Sequence, residues 1–235
     1  MNTNAVVGAT AAFVVVMVAL VVLMRSRRAQ RRSTDLAELA RSMGLQFSRN
    51  VARADFADFA ALAIIKKFRG GANRISGRLA GVPVELLDYT YAFALRGTTG
   101  AVDESVTIAL LVTDHGVPRF DLRPRLALLD RIGSEDQIKI EAGFDSEYVL
   151  TPRSELFVVN DRSKPPQSPD AVRERFTSNL VRFFVEHPGL HVESGGGSLA
   201  VWRGEFRHRR QIVPVPECGE LLQNALTIRQ HLLKH

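Results

Sequence analysis

Residues 74–93 read RISGRLAGVPVELLDYTYAF, and here the apolar period of the chain becomes two. Ile75 to Leu79 and Val82 to Phe93 flank Ala80-Gly81, so the stretch predicts a β-hairpin. The second strand is long and carries Leu86-Leu87-Asp88-Tyr89-Thr90-Tyr91. After a loop at Gly97-Thr98-Thr99-Gly100, Glu104 to Thr113 predicts another strand, with Val106, Ile108, Leu110 and Val112 on one face. Phe120-Asp121-Leu122, Ile138-Lys139-Ile140 and Tyr148-Val149-Leu150 predict short strands.

Helical periods lie on both sides of these strands. Asp35 and Glu38 form a capping-box pair, opening a helix with Leu36, Leu39, Ala40 and Met43 on one face and Gly44 at its end. Leu45-Gln46-Phe47 is extended. Phe56, Phe59, Leu62 and Ile65 have helical spacing, yet residues 55–68 stay open between helix and strand; Gly70-Gly71 closes the segment. Ser163 to Pro169 is Pro-rich and reads as a loop. Ser168 then caps a helix with Pro169 at its first position and the stripe Val172, Phe176, Leu180, Phe183 and Phe184. His191-Val192-Glu193 and Leu199 to Trp202 form a hairpin, and a last helix carries Leu221, Leu222, Ala225, Leu226, Ile228, Leu232 and Leu233. Consecutive strands with segregated helices predict an α+β fold: a mostly antiparallel sheet with two or three packed helices. Strand–helix alternation is missing, which excludes a doubly wound nucleotide fold.

Ala5 to Met24 is an uncharged run. As a helix it spans about 30 Å, a bilayer core, which predicts a single transmembrane helix with Ala5, Phe13, Leu20 and Met24 along the anchor. No basic residue precedes it, while Arg25, Arg27, Arg28, Arg31 and Arg32 follow, so it reads as an anchor and not a cleaved signal peptide. The arginines set topology and meet lipid headgroups. The expected organisation is an external tail 1–4, a span 5–24, a basic juxtamembrane segment 25–34 and a cytoplasmic domain 35–235, as a single-pass protein of a bacterial plasma membrane. Gly8 and Ala12 make a small-residue pair that suits homo-oligomerisation.

The charge distribution excludes nucleic acid as a partner. The chain of 235 residues has a net charge of +6, and five arginines without an acid fall before residue 33. The remainder is nearly neutral, and the basic patch adjoins the predicted span.

No catalytic constellation is assembled along the sequence, so catalytic residues stay unassigned and no cofactor or metal is expected. Gly195-Gly196-Gly197 lacks the lysine and helix of a phosphate loop and reads as a hairpin turn. His187 and His191 have a zinc-like spacing, but Pro188-Gly189 interrupts the helix between them. Cys218, the single cysteine, reads as a packed thiol. Asp88 lies in the most apolar strand, either as an acid or base with a raised pKa or, more simply, as a partner of neighbouring groups. Arg203, Arg207, Arg209 and Arg210 form a second basic patch for an inner leaflet, an acidic partner or solvent.

The ordered motifs Leu39-Ala40 to Gly44-Leu45-x-Phe47, Gly77 to Gly81, Asp88-Tyr89-x-Tyr91, Phe120-x-Leu122-x-Pro124, Phe144 to Tyr148-x-Leu150 and Val192-Glu193-x-Gly195 resemble an uncharacterised bacterial family. Its members have a short membrane anchor and an α+β domain of this size. The resemblance implies that architecture and lends no catalytic residue. The expected function is a binding or scaffold module at the cytoplasmic membrane face, engaging lipid or a protein partner. Two alternatives are an enzyme using Asp88, Glu141 and His191 on a membrane-associated substrate, and a sensor with an apolar pocket between sheet and helices.

Overall fold

The computed structural model describes residues 3–94, 101–113, 116–125, 137–152, 168–203 and 210–234; the side chains of 3–12, 92–94, 101–102 and 210–211 fall outside this description. The elements run α1 (Thr3–Ser42), β1 (Gln46–Asn50), a 3-10 segment (Arg53–Phe59), α2 (Ala63–Lys66), β2 (Phe68–Leu79), β3 (Val82–Ala94), β4 (Ala101–Val112), β5 (Phe120–Pro124), α3 (Ala142–Glu147), β6 (Tyr148–Thr151), α4 (Pro169–Arg175), α5 (Ser178–Glu186), β7 (Leu190–Gly195), β8 (Ser198–Arg203), β9 (Arg210–Gln211) and α6 (Val215–Leu233).

One sheet contains all the described strands, in the order β1-β2-β3-β4-β8-β7-β5-β6, with β9 added to β4. Neighbours along this path are antiparallel, and β9 alone is parallel to its partner. The predicted hairpin turns are both present. Ala80 and Gly81 have φ of 47° and 79°, and Gly196 and Gly197 have 62° and 81°. Positive φ at both turn positions matches the twist of the flanking strands.

Alternation along the strands makes two unequal cores. Leu86, Ala109, Val201, Val192, Leu122 and Leu150 point to the face covered by the second half of α1 and by α3 to α6. Leu87, Tyr89, Ile108, Leu110 and Trp202 point to the other face. There the 3-10 segment and α2 supply Phe56, Phe59, Leu62, Ile64 and Ile65 as a cover.

The α+β sheet agrees with the sequence; the transmembrane helix does not. Among the described residues no helix is long and apolar enough to cross a membrane. Phe13 to Met24, the described apolar part of α1, is exposed and rises about 18 Å before Arg25, against about 30 Å for a bilayer core. This overturns the single-pass assignment and the plasma-membrane topology drawn from it, with its cytoplasmic domain.

Local expectations are corrected too. Asp35 opens no helix, because α1 continues through it to Ser42. Residues 55–68 are neither one helix nor one strand, and Gly70-Gly71 lies inside β2, paired with Thr90 and Tyr89. The helix expected from Ser168 breaks at Phe176, and Thr177 caps α5 by accepting from Leu180 N. Ile138–Ile140 is not a strand; Ile138 N donates to Leu150 O at 2.8 Å instead. The loop at 97–100, residues 163–167, Arg207 and Arg209 lie outside the described residues.

Candidate functional site

The most connected polar group of the helix-covered face joins α1 to the sheet. β3 turns Asp88 to this face in phase with Leu86, opposite Thr107 of β4. On the other side β2 carries a bulge between Ala72 and Ile75. Asn73 in that bulge adopts φ 56°, which an asparagine tolerates, and donates Nδ2 to Asp88 Oδ2 at 2.9 Å. Arg32 reaches in from α1, one helical turn before the buried Leu36. Its Nε meets Asp88 Oδ2 at 2.7 Å and its Nη2 meets Asp88 Oδ1 at 2.6 Å, a two-pronged ion pair.

The guanidinium is used further. Nη2 also donates to Thr107 Oγ1 at 3.1 Å, and Nη1 to Val213 O at 2.7 Å, just before α6. Thr107 donates to Asp88 Oδ1 at 3.0 Å and accepts from Val213 N at 3.0 Å. One cluster therefore ties α1, β2, β3, β4 and the start of α6. Burial works against the Arg32 charge, but Asp88 outweighs it and holds the guanidinium above its usual range. The buried Cys218 thiol sits 3.5 Å from Pro214 O, and burial pushes it up to about 11 against the pull of Arg32.

A second polar set lies on the opposite face. Glu193 of β7 is buried and accepts from Ala63 N and from Ile64 N, the latter at 3.0 Å. Tyr89 donates to Ile64 O at 2.6 Å, and Ser198 to Asp58 O at 2.9 Å, so three sheet residues hold the covering segment by its backbone. Burial raises the Glu193 carboxyl to about 7, although both N–H donors, Arg119 and Lys66 favour its charge. His191, two residues earlier, lies 5.0 Å from the Trp202 ring. Burial and the Arg123 charge lower it to about 3, so it is a neutral core imidazole.

Neither a family model nor a curated protein matches the chain. Its fold is similar to that of a known protein. The crystal structure of the mycobacterial trehalose monomycolate transport factor A superposes with a TM-score of 0.51 at 14% identity, over 88% of this chain and 96% of that one. At that identity the likeness shows the shared fold alone.

The residues singled out in the sequence scatter over this fold. Asp88 and His191 lie on opposite faces of the sheet, and Glu141 is exposed ahead of α3, so the three candidate acid–base groups do not converge. His187 ends α5, stacks on Phe183 and bonds Phe183 O at 2.9 Å, away from a shared site with His191 in β7. Among the described residues no group of His, Cys, Asp and Glu is arranged to hold a metal. Arg203 pairs with Glu220 at 2.5 Å and Glu217 at 3.6 Å in the first turns of α6. Arg210 lies in β9, its side chain outside the description, as is that of Ala5. Phe13, Leu20 and Met24 are exposed on α1, and so are Arg25, Arg27, Arg28 and Arg31.

Sequence reasoning missed Thr107, Asn73 and the inward role of Arg32. The signal for Arg32 was its phase: it lies four residues before Leu36, on the stripe that docks. An aspartate in an apolar strand also calls for a cation, but sequence distance does not single out Arg32, since Arg74 and Arg78 lie closer to Asp88 along the chain.

Proposed function

We propose that the chain is a membrane-associated binding module with a transport-related role, and that α1 delivers it to an anionic lipid surface. The carrying observation is the division of α1. From Arg32 onward the helix is locked to the sheet, while Phe13 to Arg31 stands exposed, apolar first and then basic. A contiguous exposed apolar surface needs a cover, and four adjacent arginines favour an anionic one. The scatter of Asp88, Glu141 and His191 supports binding over catalysis. The similarity to a transport factor supports the coarse setting, and the resemblance to an uncharacterised bacterial family belongs to the same proposal.

Vesicle flotation of the full chain tests this reading. The chain is expected to float with vesicles containing anionic phospholipid and to bind zwitterionic vesicles more weakly. Replacing Arg25, Arg27, Arg28 and Arg31 with glutamine is expected to weaken anionic binding at least tenfold, at about 1 kcal/mol per charge. A chain that stays in the aqueous fraction with both vesicle types overturns the proposal.

A further inference from the structure

Residues 52–67 form a strap across the aromatic face of the sheet, and where the strap returns to β2 the chain reads Lys66-Lys67-Phe68-Arg69. Lys66 and Arg69 are exposed and Lys67 is half-buried. The register of the sheet sets their height relative to α1. Just past the end of α1, Leu45 packs over Gly77, which pairs with Val84. Arg32 meets Asp88, further along β3. From Ser42 back to Arg32 the helix rises about 15 Å, and from Val84 to Asp88 the strand rises about 13 Å, so α1 runs nearly along β3. Its exposed half therefore leaves at the end of the sheet that carries Tyr91 and Ala94. Arg25 lies about 10 Å beyond Arg32, level with Tyr91. Phe68 is the β2 partner of Tyr91, so Lys66, Lys67 and Arg69 stand at the height of the α1 arginines.

We propose that Lys66, Lys67 and Arg69 form a second anionic-lipid contact beside α1, so that the module stands on the lipid with the Tyr91 end of its sheet toward the headgroups. This rests on the lipid-surface reading of α1 and adds an orientation to it. Every residue from Phe13 to Met24 is apolar, so this stretch has no polar side to keep in water and meets lipid end-on. Arg25, Arg27, Arg28 and Arg31 then mark the headgroup level, and the start of β2 is at the same level. Its three cations complement an anionic layer. The acids of β4 at this height are Asp103 and Glu104, two strands from β2, and Glu104 is engaged by the Tyr91 hydroxyl at 2.9 Å. Arg78 is also exposed on β2, but at its other end, about 30 Å from Arg69 and beyond the reach of a screened headgroup charge.

Flotation of the full chain with vesicles of phosphatidylcholine and phosphatidylglycerol tests the orientation. Arg69→Gln is expected to weaken binding about fivefold, and Lys66→Gln with Lys67→Gln and Arg69→Gln at least tenfold. Arg78→Gln, the same charge change on the same strand, is expected to leave binding within about twofold of wild type. The exchange Lys66→Arg, Lys67→Arg and Arg69→Lys is expected to keep wild-type binding. A wild type that floats while the triple glutamine variant binds equally well, or an Arg78→Gln loss as large as that of Arg69→Gln, overturns this orientation and leaves the α1 reading standing. A wild type that stays in the aqueous fraction overturns both.

Discussion

Arg32 and Asp88, 56 residues apart, face each other through two nitrogen–oxygen contacts of 2.7 and 2.6 Å. The pair fixes the rotation of α1 about its axis and sets the direction in which its exposed half leaves the sheet. A helix attached only through Leu36 and Ala40 would have a small apolar footprint and more freedom to swivel.

Removing one partner is expected to cost far more than removing both. Arg32→Ala leaves Asp88 facing Asn73 and Thr107 without its cation, at about 3 kcal/mol by denaturant unfolding. Arg32→Lys recovers little, because an ammonium cannot serve Asp88, Thr107 and Val213 O together. The double replacement Arg32→Met with Asp88→Leu is expected to lie closer to wild type than Arg32→Ala. Strictly additive losses would show that the two side chains are energetically independent.

The pH dependence of stability is expected to be masked in the wild type. Above 4.5 the unfolded chain loses a Glu193 proton that the folded chain keeps to about 7, so this residue lowers stability as pH rises. Below 6.5 the unfolded chain protonates His191 while the folded chain keeps it neutral to about 3, so this residue lowers stability as pH falls. Between 4.5 and 6.5 the two slopes oppose each other. Glu193→Gln should expose a loss of about 1.4 kcal/mol per unit of acidification, and His191→Gln a gain of similar size. Parallel pH profiles for both variants in urea titrations would contradict this compensation.

Two glycines with similar backbone should respond differently to alanine. Gly81 has φ 79° and open space around it, so Gly81→Ala is expected to cost about 1 kcal/mol, the left-handed penalty alone. Gly196 has φ 62°, and an added Cβ would also collide with the Cβ of Ala61 on the strap. Gly196→Ala is expected to cost about 2 kcal/mol or more, and Ala61→Gly in the same chain to recover the excess. Equal melting-point losses for the two single variants would remove the proposed close approach.

Cys218 is expected to resist an aromatic disulfide reagent in the native state. It is buried, and with a pKa of about 11 only about one thiol in a thousand is ionised at pH 8. Reaction should become rapid in denaturant and measurably faster in native Arg32→Ala, which removes the bond from Arg32 to Val213 O beside the thiol. Prompt stoichiometric labelling of the native wild type would contradict this burial.

The hairpins were legible because their signals are local. Alternation from Ile75 to Phe93, and paired turn residues at Ala80-Gly81 and Gly196-Gly197, specify strands and turns within a few residues. The segment 55–68 was not legible, because its helical spacing is satisfied by a strap that the sheet holds through Glu193, Tyr89 and Ser198. Sequence period alone does not carry those long-range bonds. The Asp35 capping signal failed for a related reason: docking of Leu36 and Ala40 favours a continuous α1 over a new start.

By itself the sequence determined the α+β class, the strand periods, the apolar stripes of the later helices and the confinement of excess positive charge to α1. These follow from side-chain period and composition, which act at short range. Tertiary structure decided that Arg32 turns inward to Asp88, that Asp88 and His191 occupy opposite faces, and that Glu193 lies beneath a strap. Each depends on which strands become neighbours and which element covers them, so its free energy is set by burial and by partners far along the chain.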